Sequence, residues 1–439
     1  MNTKTTQLGF ILGRDNALSI AEIFAYLSRM EIKYLSAKSG KDYLILEIDE
    51  DKAHRVNLNQ LGGTIKVFEV IGTALSQADI SALLAAELPK TSHSRINFGV
   101  SGYSDVPKKL ILDLGYELKN TLIANGMTAR FVTGKTSDLS SVIVNENKLI
   151  EKGLEAIIIA DGHDYIIGKT IAVQDYKAYS KRDFGRPKRD DRNGMLPPKL
   201  AQILINLACK PVDASIYDPF CGSGTILQEA LFMGYRSLYA SDIEPKNIDD
   251  TKTNLEWLFQ AYGMPRIAEE NIFVSDVLNL THPLKNPKAF VIPAKAGIQE
   301  TQGGDGSLGL RPGMTIENKN DNLADAIIGE GNLGEPTRRT KAQAQKDTEN
   351  LAGFYLEALP NLAKSLKHDG KIVLAIPFFV VDKEYHYLDI LDKLKEISLE
   401  VINPIPAGID VKLHGRGNLT YSRPDQFVGR EILILQKSN

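Results

Sequence analysis

The chain has 439 residues, with 52 Lys or Arg against 55 Asp or Glu, a net charge of −3, 43% hydrophobic and 24% charged residues. This balance excludes a fibrous or intrinsically disordered chain and gives no global basic signature of nucleic-acid binding. The length exceeds one ordinary core, so two or three domains are expected. The two cysteines, Cys209 and Cys221, cannot frame a disulfide scaffold, and no CxxC pair suggests zinc. Residues 1–13 lack the basic start and apolar core of a signal peptide. The longest apolar run, 372–381, is broken by Pro377 and falls short of the roughly 20 residues that span a membrane. A cytoplasmic protein with no membrane and no metal is expected.

In chain order, residues 7–71 read as strand, helix, strand, helix, strand. The main helix is 17–30, with Leu18, Ala21, Ile23, Phe24 and Leu27 on helical spacing. A weak helix is expected over 51–61 and a strand over 64–71. Residues 75–172 read as a second α+β unit. It has helices over 80–88 and 108–125 and strands over 96–103, 129–133, 141–144, 155–160 and 165–173. Residues 173–196 are polar, basic and punctuated by Gly185, Pro187 and Gly194, the composition of a linker. Residues 177–199 hold eight Lys or Arg against three Asp, a local charge of +5. Lys181, Arg182, Arg186, Lys188 and Arg189 are therefore the candidate phosphate contacts.

From residue 197 strands and helices alternate, which predicts an α/β fold with a doubly wound parallel sheet. A Gly- and Asn-rich stretch at about 282–323 interrupts the pattern and reads as an insertion, either a lid or disordered. The domain limits are thus 1–74, 75–172, a basic linker at 173–196, and 197–439.

The strongest motif is Asp218-Pro219-Phe220-Cys221-Gly222-Ser223-Gly224-Thr225, after a strand and before a helix. Gly222 and Gly224 let backbone approach a ligand, and a helix N-terminus suits a carboxylate. Asp218 can accept from an ammonium, so an amino-acid-like ligand fits better than a pyrophosphate. Asp242, followed by Ile243, ends the next strand and suits two ribose hydroxyls, although it also suits a helix cap. Asp276 ends the strand after that and suits an adenine amino group, with a cap or turn as its structural alternative. After the fourth strand, 325–328, come Gly329-Glu330-Gly331-Asn332-Leu333-Gly334. Glu330 and Asn332 are the candidate catalytic residues, placed to accept N–H groups of an exocyclic amine. A plain Gly-rich turn explains the same residues equally well. Among these residues no aromatic stands ready to stack on a flipped base.

At these residues the chain resembles the THUMP-domain tRNA guanosine-N2 methyltransferases, bacterial type, which modify guanosine 10. Asp218–Thr225 is similar to that family's DPFxGxGT loop. Arg186-Pro187 and Leu196-Pro197-Pro198-Lys199-Leu200-Ala201 resemble its linker into the catalytic domain. Tyr421-Ser422-Arg423-Pro424-Asp425-Gln426-Phe427-Val428-Gly429-Arg430-Glu431 resembles its closing segment. The resemblance implies an N-terminal ferredoxin-like domain, a THUMP RNA-binding domain and a class I, Rossmann-like methyltransferase domain. It implies S-adenosylmethionine as cofactor, bound through Asp218, Phe220, Gly222, Gly224, Thr225, Asp242, Ile243 and Asp276. It implies tRNA as the partner. A small activator subunit, a monomer and a homodimer all stay open. The sequence departs from the family at the substrate motif, where Gly331 and Asn332 replace proline and tyrosine. Two rival readings follow: a catalytically impaired tRNA-binding paralogue, and an amino-methyltransferase acting on DNA.

Overall fold

The computed structural model describes residues 4–87, 95–189, 195–280, 323–413, 415–423 and 426–438. The insertion expected at about 282–323 lies outside these residues except for Leu323.

The front half builds one eight-stranded sheet. Its strands are β1 (Thr5–Leu12), β2 (Tyr34–Ser39), β3 (Tyr43–Asp49), β4 (Thr64–Ala74), β5 (Ile96–Tyr103), β6 (Ala129–Val132), β7 (Gly153–Asp161) and β8 (Asp164–Val173). Their order is β2-β3-β1-β4-β8-β7-β5-β6. The boundary expected at 74 falls at the end of β4, which pairs with both β1 and β8. At this junction the Lys66 ammonium of β4 meets the Glu155 carboxylate of β7, both fully buried. Lys66 also donates to the Leu139 carbonyl at 2.7 Å, while the Ser101 and Thr170 hydroxyls donate to Glu155 at 2.6 and 2.8 Å. Every strong partner is satisfied, which is what allows a buried ion pair to persist.

Three local expectations change. Residues 141–144 form a helix rather than a strand, because Ser140 caps it, accepting from the Ile143 amide. Residues 51–61 split into a short helix, Glu50–Ala53, and a 3-10 turn, Leu58–Gln60. Residues 388–397 read in the sequence as a helix, but a 3-10 segment, Leu391–Ile397, forms there. β2 was not expected at all: it is an exposed edge strand without an apolar alternation to betray it.

The back half is a nine-stranded sheet. Its strands are β9 (Ile216–Asp218), β10 (Leu238–Asp242), β11 (Ile272–Val274), β12 (Ala324–Glu330), β13 (Leu366–Val381), β14 (Glu384–Tyr387), β15 (Leu399–Val401), β16 (Leu419–Tyr421) and β17 (Val428–Lys437). The order is β11-β10-β9-β12-β13-β17-β15, with β14 on β13 and β16 on β17. β9 to β13 run parallel, as the alternating pattern predicted, whereas β17 runs antiparallel to β13. The direction of winding reverses between β9 and β12, and ligands bind such sheets at that crevice. Residues of the helices 198–208, 225–232 and 245–262 pack in one core, while helix Lys341–Lys364 packs in another.

The two halves are joined by a continuous core. Helix α1 (Asn16–Arg29) and the Pro198–Ala208 helix contribute to the same cluster of buried side chains. A polar network seals this seam. The fully buried Glu22 of α1 accepts from the Gly62 and Gly63 amides at 2.8 and 2.7 Å and from Asn206 Nδ2 at 2.9 Å. Burial pushes its carboxyl up to about 7 from the ordinary 4.5. An acid with a raised pKa stabilises the fold below its unfolded value, and that contribution is lost as the pH rises through 7. The difference corresponds to about 3 kcal/mol. Urea unfolding from pH 4.5 to 8 should therefore show a steeper loss of stability in the parent than in Glu22→Gln. Parallel curves would rule out this assignment. Among the described residues no helix is long and apolar enough to cross a membrane.

Candidate active site

The Asp218–Thr225 octet closes β9 and opens the helix Thr225–Phe232. Gly222 and Gly224 have φ of +51° and +83°, left-handed values that favour glycine. A Cβ on Gly224 would also meet Thr251 Cγ2 at 2.9 Å, whereas nothing stands within 4 Å of one on Gly222. The loop is held from behind: Thr251 Oγ1 donates to the Gly222 carbonyl at 2.8 Å and Asn254 Nδ2 to the Ser223 carbonyl at 2.9 Å.

The loop borders a cleft of about 140 Å³ whose walls include Asp218, Phe220, Gly222, Ser223, Thr225 and Glu330. Asp218 is 2% exposed, and its carboxylate accepts from the Phe220 amide at 3.1 Å. Burial pushes this carboxyl well above its usual range. Among the described residues no Lys or Arg pairs with it. On the far side of Thr225 stands Arg186, 3% exposed, whose Nη1 donates to Thr225 Oγ1 at 2.6 Å. A buried acid thus lines the cleft, and a buried base that is not paired with it contacts the cleft through Thr225 and Met195. This donor and acceptor set fits the zwitterionic end of an amino acid, and therefore the methionyl end of S-adenosylmethionine.

Asp242 and Asp276 stand beyond this cleft on neighbouring strand ends. The Asp242 carboxylate accepts from the Gly222 amide at 2.9 Å and from the Glu244 amide and Asn247 Nδ2 at 3.0 Å each. A carboxylate offers about four lone-pair positions, so one remains for a ribose hydroxyl rather than two. Asp276 caps a 3-10 turn, accepting from the Leu278 amide at 2.9 Å and from Asn279 at 3.2 Å. Ile243 and Val274, at the ends of β10 and β11, are 61% and 48% exposed. Val274 was not singled out in the sequence. Its signal was an apolar residue two positions before Asp276.

The acceptor candidates part company. Glu330 ends β12 and lines the cleft. Arg430 of β17 donates through Nε to Glu330 Oε1 at 2.5 Å, and its guanidinium lies 5.9 Å from the Tyr421 ring centroid. Arg430 and Tyr421 were legible only as part of the closing segment, with no role attached. Asn332 instead turns its side chain onto its own loop, accepting from the Gly334 amide at 2.9 Å. Its carbonyl accepts from Tyr355 Oη at 3.0 Å. A Cβ on Gly331 would meet that same Oη at 2.3 Å, so Tyr355 explains the glycine.

The basic stretch needs the largest correction. It is not a bare linker: residues Tyr176–Phe184 form a helix. Arg182, expected to meet phosphate, is 7% exposed and pairs with Glu229 at 2.7 Å. Arg186, expected likewise, is buried behind Thr225. Neither reaches the surface. Lys181, Lys188 and Arg189 remain exposed, with Lys181 over the Tyr262 ring and Arg189 over Phe184.

The methyltransferase domain of the UPF0020 (RMKL-like) family matches residues 186–263. The tRNA (guanine(10)-N2)-dimethyltransferase of Methanothermobacter thermautotrophicus is 26% identical over 319 residues, covering 70% of this chain and 82% of that protein. In fold, the chain is similar to the crystal structure of TrmN from Thermus thermophilus, with a TM-score of 0.53 and 14% identity, over 99% of this chain and 100% of that one. Residues 186–263 thus match a methyltransferase domain, and the fold as a whole is similar to that of TrmN.

Proposed function

We propose that this protein transfers a methyl group to the exocyclic N2 of a guanosine in tRNA, at position 10, gripping the RNA with residues 1–172 and the exposed Lys181, Lys188 and Arg189. The observation that carries the reading is Glu330, a carboxylate that lines the cleft beside Asp218 and the glycine loop. The cofactor supplies a methyl already activated on a sulfonium, so the chain's own work is alignment. Asp218 would hold the ammonium of the cofactor. Asp242 would take one ribose hydroxyl, and Ile243 and Val274 would offer apolar surface to adenine. Glu330 would accept an N–H of the guanine amine and so aim its nitrogen at the methyl. Arg430 would hold that carboxylate in place, its Nε donating to Glu330 Oε1 at 2.5 Å.

The test is transfer of labelled methyl to unmodified tRNA transcripts carrying guanosine or adenosine at position 10. Incorporation with guanosine alone is expected. Equal incorporation into both moves the target elsewhere, and none into either rejects the reading. A second reading, a tRNA-binding paralogue without activity, draws on the Asn332 side chain being committed to its own turn. It requires tRNA binding with no incorporation.

Asp218→Asn removes the buried carboxyl that would receive the ammonium and is expected to weaken binding of S-adenosylhomocysteine by about tenfold or more. Isothermal calorimetry checks this, and unchanged affinity would remove Asp218 from the cofactor site.

A further inference from the structure

Arg186 presents a problem in physical chemistry. A guanidinium is always charged, and a buried charge is expected to be paired. Yet among the described residues no carboxylate lies within ion-pair distance of it. Its contacts are Thr225 Oγ1 at 2.6 Å and the Met195 sulfur at 3.3 Å. Its Nε is fully buried and has no hydrogen-bond partner among the described residues. Asp183 and Glu229 are near enough to act on it through space, as is the like-charged Arg189. Glu229, however, is already committed to Arg182 and Gln202. Burial is the larger influence and lowers the affinity of Arg186 for its proton. The site stabilises this cation poorly as it stands.

Its two contacts say where the missing anion belongs. Thr225 and Met195 both line the cleft that Asp218 lines. Because Arg186 donates to Thr225 Oγ1, the threonine must spend its own O–H on another acceptor. The first-turn amides of the helix beginning at Thr225 lack intrahelical partners and favour negative charge at the same place.

We propose that Arg186 is the counter-ion for the carboxylate at the amino-acid end of the cofactor, acting from behind Thr225 and through its hydroxyl. Asp218 and Arg186 then form two halves of a zwitterion receptor, acid for ammonium and base for carboxylate. This rests on the cleft being the cofactor site. It reassigns a residue of the basic stretch from RNA contact to cofactor recognition. It also gives Arg186-Pro187 a role within the region matched by the family model, which begins at residue 186.

The experiment compares two probes by calorimetry on the full chain. S-adenosylhomocysteine carries the amino-acid end, and 5′-methylthioadenosine lacks it. Arg186→Met should weaken the first by about tenfold or more, the value of a charge-assisted hydrogen bond, and leave the second within twofold. Arg186→Lys keeps the charge without the planar fork and should recover part of the loss. Thr225→Val should weaken S-adenosylhomocysteine selectively, which keeps the test available if Arg186→Met does not fold. Equal losses for both probes would mean that Arg186 merely supports the loop. Unchanged affinity for S-adenosylhomocysteine would overturn the proposal while leaving the cofactor site intact. A parent protein that binds neither probe would overturn both. The salt dependence of tRNA binding should be the same in Arg186→Met and the parent; a flatter slope would return Arg186 to phosphate contact.

Discussion

Arg182→Met is expected to lower the stability of the protein by about 3–5 kcal/mol, the usual consequence of removing one partner of a buried ion pair. Arg182 and Glu229 have side-chain exposures of 7% and 1%, and the Arg182 Nε donates to Glu229 Oε1 at 2.7 Å. The guanidinium is also sandwiched between Tyr179 and Phe232, 4.5 and 4.6 Å from their ring centroids. Methionine refills much of that apolar volume, so packing loss is a small part of the effect. What remains is a carboxylate at the centre of the structure with Gln202 Nε2, at 2.9 Å, as its remaining side-chain donor. Urea unfolding at pH 7 measures the loss. The paired change Arg182→Met with Glu229→Leu should recover most of it, because apolar residues of similar volume replace buried pairs well. A loss below about 1 kcal/mol for the single variant would show that water reaches the pair. The salt dependence of tRNA binding should not change, since this arginine touches no solvent-facing surface.

The second large effect concerns Glu330. Glu330→Gln keeps the shape of the side chain but cannot accept with both oxygens, and it loses the charge that Arg430 faces. Turnover should fall by roughly tenfold to a hundredfold, with affinity for S-adenosylhomocysteine unchanged, because the interaction matters most when the base nitrogen is aimed at the methyl. Single-turnover transfer to tRNA gives the rate, and calorimetry gives the affinity. Turnover within twofold of the parent would remove Glu330 from catalysis. Replacing Gly331 and Asn332 with proline and tyrosine should not raise activity. Proline at 331 would lose the hydrogen bond from the Gly331 amide to the Ala375 carbonyl at 3.2 Å and collide with Tyr355. Burial, and after it the Glu330 carboxylate, pushes the Tyr355 phenol well above its usual range, so this ring stands beside the acceptor as a neutral wall.

Much of the back half was legible in the sequence because its signals are local. Alternating strands and helices imply a parallel sheet wherever they occur, and Gly222 and Gly224 between a strand and a helix mark a ligand-approach turn. A doubly wound parallel sheet and a ligand-approach turn after its first strand follow from those signals alone; the strand order and the cleft that Glu330 lines do not. Strand limits in the front half were close for the same reason. The local signals failed where a polar partner outweighed propensity, as at Ser140, whose cap turned an apolar β-branched run into a helix.

What tertiary structure decided is which charges meet solvent. Sequence spacing shows that 177–199 is basic; it cannot show that Arg182 meets Glu229, 47 residues away, or that Arg186 sits behind Thr225, 39 residues away. Arg430 reaches Glu330 across 100 residues because β17 and β12 lie on either side of β13. Burial is a property of the folded core and not of the chain. It is burial that turns an arginine from an expected phosphate contact into a structural ion pair in one case and, in the other, into a cation beside the glycine-loop cleft that has no ion pair among the described residues.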